Sequence, residues 1–217
     1  SSIAHAETVA VTGGKVVIGD GSEPIDGGTV VFRDGAIVAA GSSIAVPAGA
    51  RQIDARGKWV TPGIFAGFSR VGLTEVDAVD GSNDESGGKS GFSAGIDIAP
   101  AIDPYRTPIA VNRFAGVTRA VVAPQAGNNI FAGQGAIADL GADSDPVTKA
   151  RAFQFVEFGE SGAELSGGSR AGTFLTFRAM LREAQDYATN RSAFDDELLR
   201  AEDAKALLPV MRGETRL

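Results

Sequence analysis

The sequence predicts an α/β protein, with a small β-rich unit first and a strand-and-helix unit after it. Three observations carry this. Up to about Val60 the chain is a series of short β-branched runs divided by glycine turns. Between Gly116 and Phe158 further apolar runs have strand length, and in the last third the apolar residues recur at helical spacing.

In the first unit, Thr8-Val9-Ala10-Val11, Lys15-Val16-Val17-Ile18, Thr29-Val30-Val31-Phe32 and Ala36-Ile37-Val38-Ala39 read as strands. Gly13-Gly14, Asp20-Gly21, Asp26-Gly27-Gly28 and Asp34-Gly35 separate them, and such pairs supply the positive-φ positions of tight hairpins. A small antiparallel sheet or sandwich over residues 7–60 is expected.

Residues 73–107 change character. Asp77, Asp80, Asp84, Glu85 and Asp97 alternate with glycine and serine and show little periodicity, which predicts a long, solvated acidic loop. Its carboxylates lack the regular spacing of a calcium loop. Pro108 to Ala115 reads as a short helix with proline in its first turn. Gly116-Val117-Thr118-Arg119-Ala120-Val121-Val122-Ala123-Pro124 reads as a buried strand ended by proline. Gly127 to Gly135 is a glycine-rich loop, and Ala136–Leu140 and Ala152–Phe158 are further strands. Phe174, Phe177, Leu181 and Ala184 mark an amphipathic helix over Thr173–Tyr187. A second helix is expected from Asp195 to Met211, its leading Asp195-Asp196-Glu197 suited to the positive end of the dipole.

Composition removes several function classes. With 43% hydrophobic residues in 217, the chain can bury a substantial core. Its 20 basic and 27 acidic residues give a formal charge of −7 with no dense basic run, so a nucleic-acid partner is not expected. The absence of cysteine excludes disulfides, thiolate nucleophiles and zinc–cysteine sites. No apolar run approaches the roughly 20 residues of a membrane span. Ala4-x-Ala6 has the small-residue form of a secretory signal's end, so residues 1–6 read as its remnant and the protein as exported, periplasmic or secreted.

The junction from one unit to the next is distinctive. Ile53-Asp54-Ala55-Arg56-Gly57-Lys58 runs into Trp59-Val60-Thr61-Pro62-Gly63-Ile64-Phe65-Ala66-Gly67-Phe68-Ser69-Arg70-Val71-Gly72. This resembles the start of an amidohydrolase-superfamily enzyme, in the branch of imidazolonepropionase-like proteins. There a small β-sandwich ends in a Val-Thr-Pro-Gly phrase, and the next strand is the first of a metal-bearing (β/α) barrel. The resemblance runs from about Glu7 to Leu217 and implies a small N-terminal β-sandwich followed by the first part of a TIM-type barrel, residues 61–217, incomplete in this chain. A whole barrel takes about 250 residues. A C-terminal half or partner chain is therefore expected to complete it, in an oligomer, because open barrel strands expose pairing edges.

In the family the first barrel strand carries Asp-x-His-x-His, whose histidines hold the metal. Here Ala66 stands at the aspartate position, and Phe68 and Arg70 stand at the two histidine positions. The single histidine, His5, lies in the signal remnant. No metal ligands are expected from this chain, and a divalent metal such as zinc would need ligands from another chain or the missing half. Ser69 and Ser166 lack a histidine to serve as base, so nucleophilic serine chemistry is not expected.

Four residues are candidates for substrate binding. Arg70 at a barrel strand end fits two roles: gripping a substrate carboxylate through forked hydrogen bonds, or pairing with Glu75 or Asp77. Asn128, Asn129 and Gln134 lie in the glycine-rich loop, whose backbone N–H groups and side-chain amides suit an amide or carboxylate; the glycines also fit a plain turn. Hydrolysis of a C–N bond in a small-molecule amide or cyclic amide is what the resemblance implies. The missing histidines favour an alternative, a metal-free relative serving as a periplasmic binding or assembly protein.

Overall fold

The structure is a computed structural model that describes residues 7–195 and 197–217. His5 and the Ala4-x-Ala6 signal remnant lie outside the described residues. The chain divides into two compact units, residues 1–63 and 64–217.

The first unit is one five-stranded sheet. Strands β1 (Thr8–Val16), β2 (Ile25–Arg33) and β3 (Ala36–Gly41) pair antiparallel, while β4 (Arg51–Asp54) and β5 (Trp59–Val60) both run parallel to β1. The sheet is thus mixed where an antiparallel one was expected. Asp34-Gly35 makes the expected two-residue hairpin, with φ of 50° and 77° and Arg33 facing Ala36. Gly13-Gly14 does not turn the chain. It forms an irregularity inside β1, which therefore joins two expected strands into one. A Cβ on Gly14 would lie 2.6 Å from Val60 Cγ2 and 3.0 Å from the Ala55 Cβ, so glycine here serves close packing.

The second unit holds a four-stranded sheet in the order β6 (Ile64–Ser69), β7 (Val117–Val122), β8 (Phe131–Asp139), β9 (Val147–Val156). Helix α1 (Thr107–Phe114), led in by Pro108, crosses between β6 and β7, which run parallel. This is the strand–helix–strand step of a (β/α) barrel. Strands β8 and β9 then run antiparallel to their neighbours. The connections 123–130 and 140–146 are shorter than the dozen or so residues a parallel crossover needs. The expected loop of residues 127–135 is a loop only to Ile130; Gly133, Gln134 and Gly135 lie within β8. A Cβ on Gly135 would lie 2.1 Å from Phe153 Cζ, so only glycine admits that ring.

One face of this sheet is buried by Ala120, Val122, Ala136 and Ala138, which pack with Ile109 of α1 and with Val71, Leu73, Ile98 and Ile102. The last three come from the stretch expected to be a solvated loop, residues 73–107. It has almost no regular structure beyond two 3-10 turns, at Asp80–Ser82 and Ala99–Ala101, yet it covers the core. Three of its carboxylates are engaged: Asp97 with Arg151 at 2.7 Å, Asp84 with Arg106 at 2.5 Å, and Glu85 with Thr74 Oγ1 at 2.9 Å.

Helices α2 (Glu160–Leu165), α3 (Arg170–Thr189) and α4 (Ala201–Met211) follow. Ser169 caps α3, accepting from Gly172 N–H at 3.0 Å. The buried stripe of α3 is Thr173, Met180, Ala184 and Tyr187, with Phe177 and Leu181 partly buried, while Phe174 stays half exposed against Phe158. The stripe is thus rotated from the expected one. Helix α4 starts at Ala201 and not at Asp195. The N–H groups of Leu198 and Leu199 donate to the Glu183 carboxylate of α3, which holds that segment out of helical conformation. The acids in its first turn are Glu202 and Asp203.

Asp203 is 1% exposed, and its Oδ1 accepts from the backbone N–H of Ser93 at 2.8 Å and of Gly95 at 2.7 Å. The clasp ties α4 to the chain that covers the sheet. Asp203→Ala strands two buried N–H groups and is expected to cost about 3 kcal/mol of unfolding free energy in urea titration, whereas Asp203→Asn, which keeps an acceptor, costs less than half of that. In the first unit, the side-chain and backbone hydrogen bonds of Arg56 hold the exposed Asp54 carboxyl at about 2. The folded value is depressed, so the pair's contribution is present above the ordinary 3.8 and fades as pH falls toward about 2. An NMR titration is expected to place Asp54 near the lower value, and Arg56→Ala to return it toward the upper one.

Candidate functional site

The C-terminal ends of the parallel strands β6 and β7 are where a barrel fold builds a ligand site. Arg70 follows β6 directly. Its main chain is fixed by its carbonyl, which accepts from Leu73 N–H at 3.0 Å and Thr74 N–H at 3.2 Å. Its side chain is differently placed from the ion pair weighed above. The Glu75 carboxylate turns to Thr107 at the start of α1, accepting from the backbone N–H at 2.9 Å and from Oγ1 at 2.5 Å. Among the described residues no carboxylate pairs with Arg70. Its Nε is buried without a hydrogen-bond partner, and its guanidinium carbon lies 5.7 Å from the centre of the Phe68 ring.

Asn128 and Asn129 border a polar cavity of about 200 Å³ together with Gly91, Ser93, Arg200 and Asp203. Asn129 is committed to structure: its Oδ1 accepts from Phe131 N–H at 3.0 Å and its Nδ2 donates to Leu198 O at 3.4 Å. Asn128 is exposed, with no hydrogen bond from its amide among the described residues. Ser93 is buried and its hydroxyl has no partner. Arg200 Nε donates to Gly91 O at 3.0 Å, leaving the far nitrogens of the guanidinium for the cavity. Gln134 does not border this cavity. Its Nε2 donates to Gly95 O at 3.4 Å, and its main chain pairs with residues 96–98. The structure therefore brings Asn128 and Asn129 together, and leaves Arg70 and Gln134 each in a separate place. Ser93, Arg200 and Asp203 were not foreseen, because contacts across more than a hundred residues leave no local pattern.

These elements can be set beside known proteins. No family model matches the sequence. The chain is 30% identical over 185 residues to the dihydroorotases of Anaeromyxobacter sp. (strain K) and Anaeromyxobacter dehalogenans (strain 2CP-1), a match covering 84% of this chain and 40% of each relative. The fold superimposes on the crystal structure of an amidohydrolase from Thermotoga maritima MSB8 with a TM-score of 0.77 and 20% identity, over 94% of this chain and 55% of that one. The chain has the fold of part of that amidohydrolase. The first sheet is its sandwich-like domain and the second unit is part of its barrel. The chain spans about two fifths of the length of the curated relatives it matches.

The described residues of the chain do not fit a divalent metal. Phe68 offers no ligand atom, Arg70 is a cation, and among the described residues no group of three or more His, Cys, Asp or Glu side chains is placed to hold an ion. What the site can do by itself is bind: a bare guanidinium at a strand end, and a polar cavity with an unpaired hydroxyl and a free amide. Truncation separates structural from binding roles. Asn129→Ala is expected to lower stability by about 1 kcal/mol in thermal or urea unfolding, and Asn128→Ala by less than about 0.5 kcal/mol.

Proposed function

We propose that the chain is the N-terminal part of a hydrolase that opens a C–N bond in an amide or cyclic amide, with its catalytic groups supplied by a C-terminal half or partner chain. The observation that carries this is the joint match in fold and sequence to an amidohydrolase and to dihydroorotases. In this reading Arg70 grips a substrate carboxylate, and the polar cavity at Asn128 and Asn129 receives amide groups. The Ala4-x-Ala6 pattern supports export to a periplasm or beyond, and no described helix is long and apolar enough to cross a membrane. Any divalent metal would take its ligands from the remainder of the protein.

A second reading has its own support. An aromatic ring and a cation occupy the two positions that would hold a metal, which favours a metal-free binding or assembly protein on the same scaffold. The two separate in one experiment on the intact protein. Native mass spectrometry is expected to show the completing chain with bound divalent metal, and incubation with dihydroorotate and a panel of lactams to show ring opening that chelation abolishes. An intact protein that carries no metal and leaves the whole panel unhydrolysed supports the second reading and sinks the first.

A further inference from the structure

We propose that the open face of the β6–β9 sheet beside Arg70 binds a carboxylic acid that carries a flat aromatic ring. The inference deepens the proposed function by naming the substrate or product class, and rests on it to that extent.

Side-chain alternation defines the face. Ala66, Ala120, Val122, Ala136 and Ala138 pack into the core under α1, so their neighbours in the strands point the other way. Phe65, facing Arg119 across the strands, and Val121 belong to that outward set. Two residues, Gly67 and Phe68, intervene between the Ala66–Ala120 and Ser69–Val122 pairs, where the partner strand has one. The irregularity brings Phe68 onto the same face, where its ring lies 5.8 Å from that of Phe155 on β9. Phe68 is 57% exposed and Phe65 54% exposed. The result is an aromatic surface that alanines or charged residues would not make.

Arg70 stands at the edge of this surface, its guanidinium against the Phe68 ring and its Nε buried without a partner. The carboxylate nearest in sequence, Glu75, is spent on Thr107. Arg119 is on the same face but at the other end of β6, across from Phe65 on one side and from Asp139 on the other, so Arg70 is the cation of the Phe68 end. The same face also carries an acid, Asp139, but it lies at that far end and its Oδ1 accepts from Gly141 N–H at 2.9 Å. A half-desolvated guanidinium binds a carboxylate through parallel hydrogen bonds, and the ring faces accept a second ring in offset or tilted contact. Charge and shape together select an aryl acid over a cation, an amine or a bare small anion.

The test is isothermal titration calorimetry of the intact protein with phenylacetate, acetate and phenylacetamide. Phenylacetate is expected to bind about tenfold or more tightly than either of the others. Arg70→Gln should remove that advantage, Arg70→Lys should keep part of it, and Phe68→Ala should bring phenylacetate to the level of acetate, with unchanged circular dichroism in each. Phenylacetate binding no better than acetate, or binding that Arg70→Gln leaves intact, overturns the inference. A face sealed by the completing chain gives no binding at all and overturns it equally. No turnover is involved, so the two proposals fail separately. A protein that opens amides but ignores phenylacetate loses this inference alone, and one that binds phenylacetate but hydrolyses nothing loses the hydrolase reading alone.

Discussion

A four-stranded sheet with one apolar face must have that face covered, and in this protein a single short helix is not enough to do it. Helix α1 buries only Ile109. The rest of the cover comes from irregular chain between Val71 and Ile102, which inserts Leu73, Ile98 and Ile102 over the alanine- and valine-lined strands. Small residues on the strands allow that chain to approach closely. Irregular backbone brings unpaired polar groups with it, and each has to be answered. Asp203 answers two N–H groups, Gln134 pairs with residues 96–98, and Asp97 is fixed by Arg151. The helical end of the unit is thereby tied to the sheet through the covering chain and not through a helix–sheet contact alone.

That arrangement engages several of the acidic residues around the covering chain. Asp84, Glu85, Asp97 and Asp203 hold backbone or arginine groups in place, and Glu75 serves the start of α1. A run of carboxylates that looks available for a cation is therefore structural. The converse holds for Arg70. With Glu75 committed to Thr107 and no ion pair formed among the described residues, its charge is left beside an aromatic ring, in surroundings where an anion gains more than it would in water.

The two faces of the same sheet thus follow different rules. The covered face is small and apolar, packed to admit irregular chain. The other carries Phe65, Phe68 and Arg119, with Arg70 at the end of β6.

Features set by a few neighbouring residues were legible in the sequence. Asp34-Gly35 turns a hairpin because both positions need positive φ, Pro108 opens α1 because a first turn tolerates its missing N–H, and the Val-Thr-Pro-Gly phrase marked the passage between the two units. Other features turned on distant partners. Gly13-Gly14 bulges where a turn was expected because Val60 and Ala55 crowd it, and residues 197–200 stay unwound because Glu183 takes their N–H groups. The stripe of α3 is rotated by the packing it meets. The site divides the same way: the sequence determined which residue types were available, and the tertiary structure decided which remained unspent. Local torsion preferences and side-chain chemistry are properties of the residue. Burial, pairing and the commitment of a charge belong to contacts between segments that the chain order does not announce.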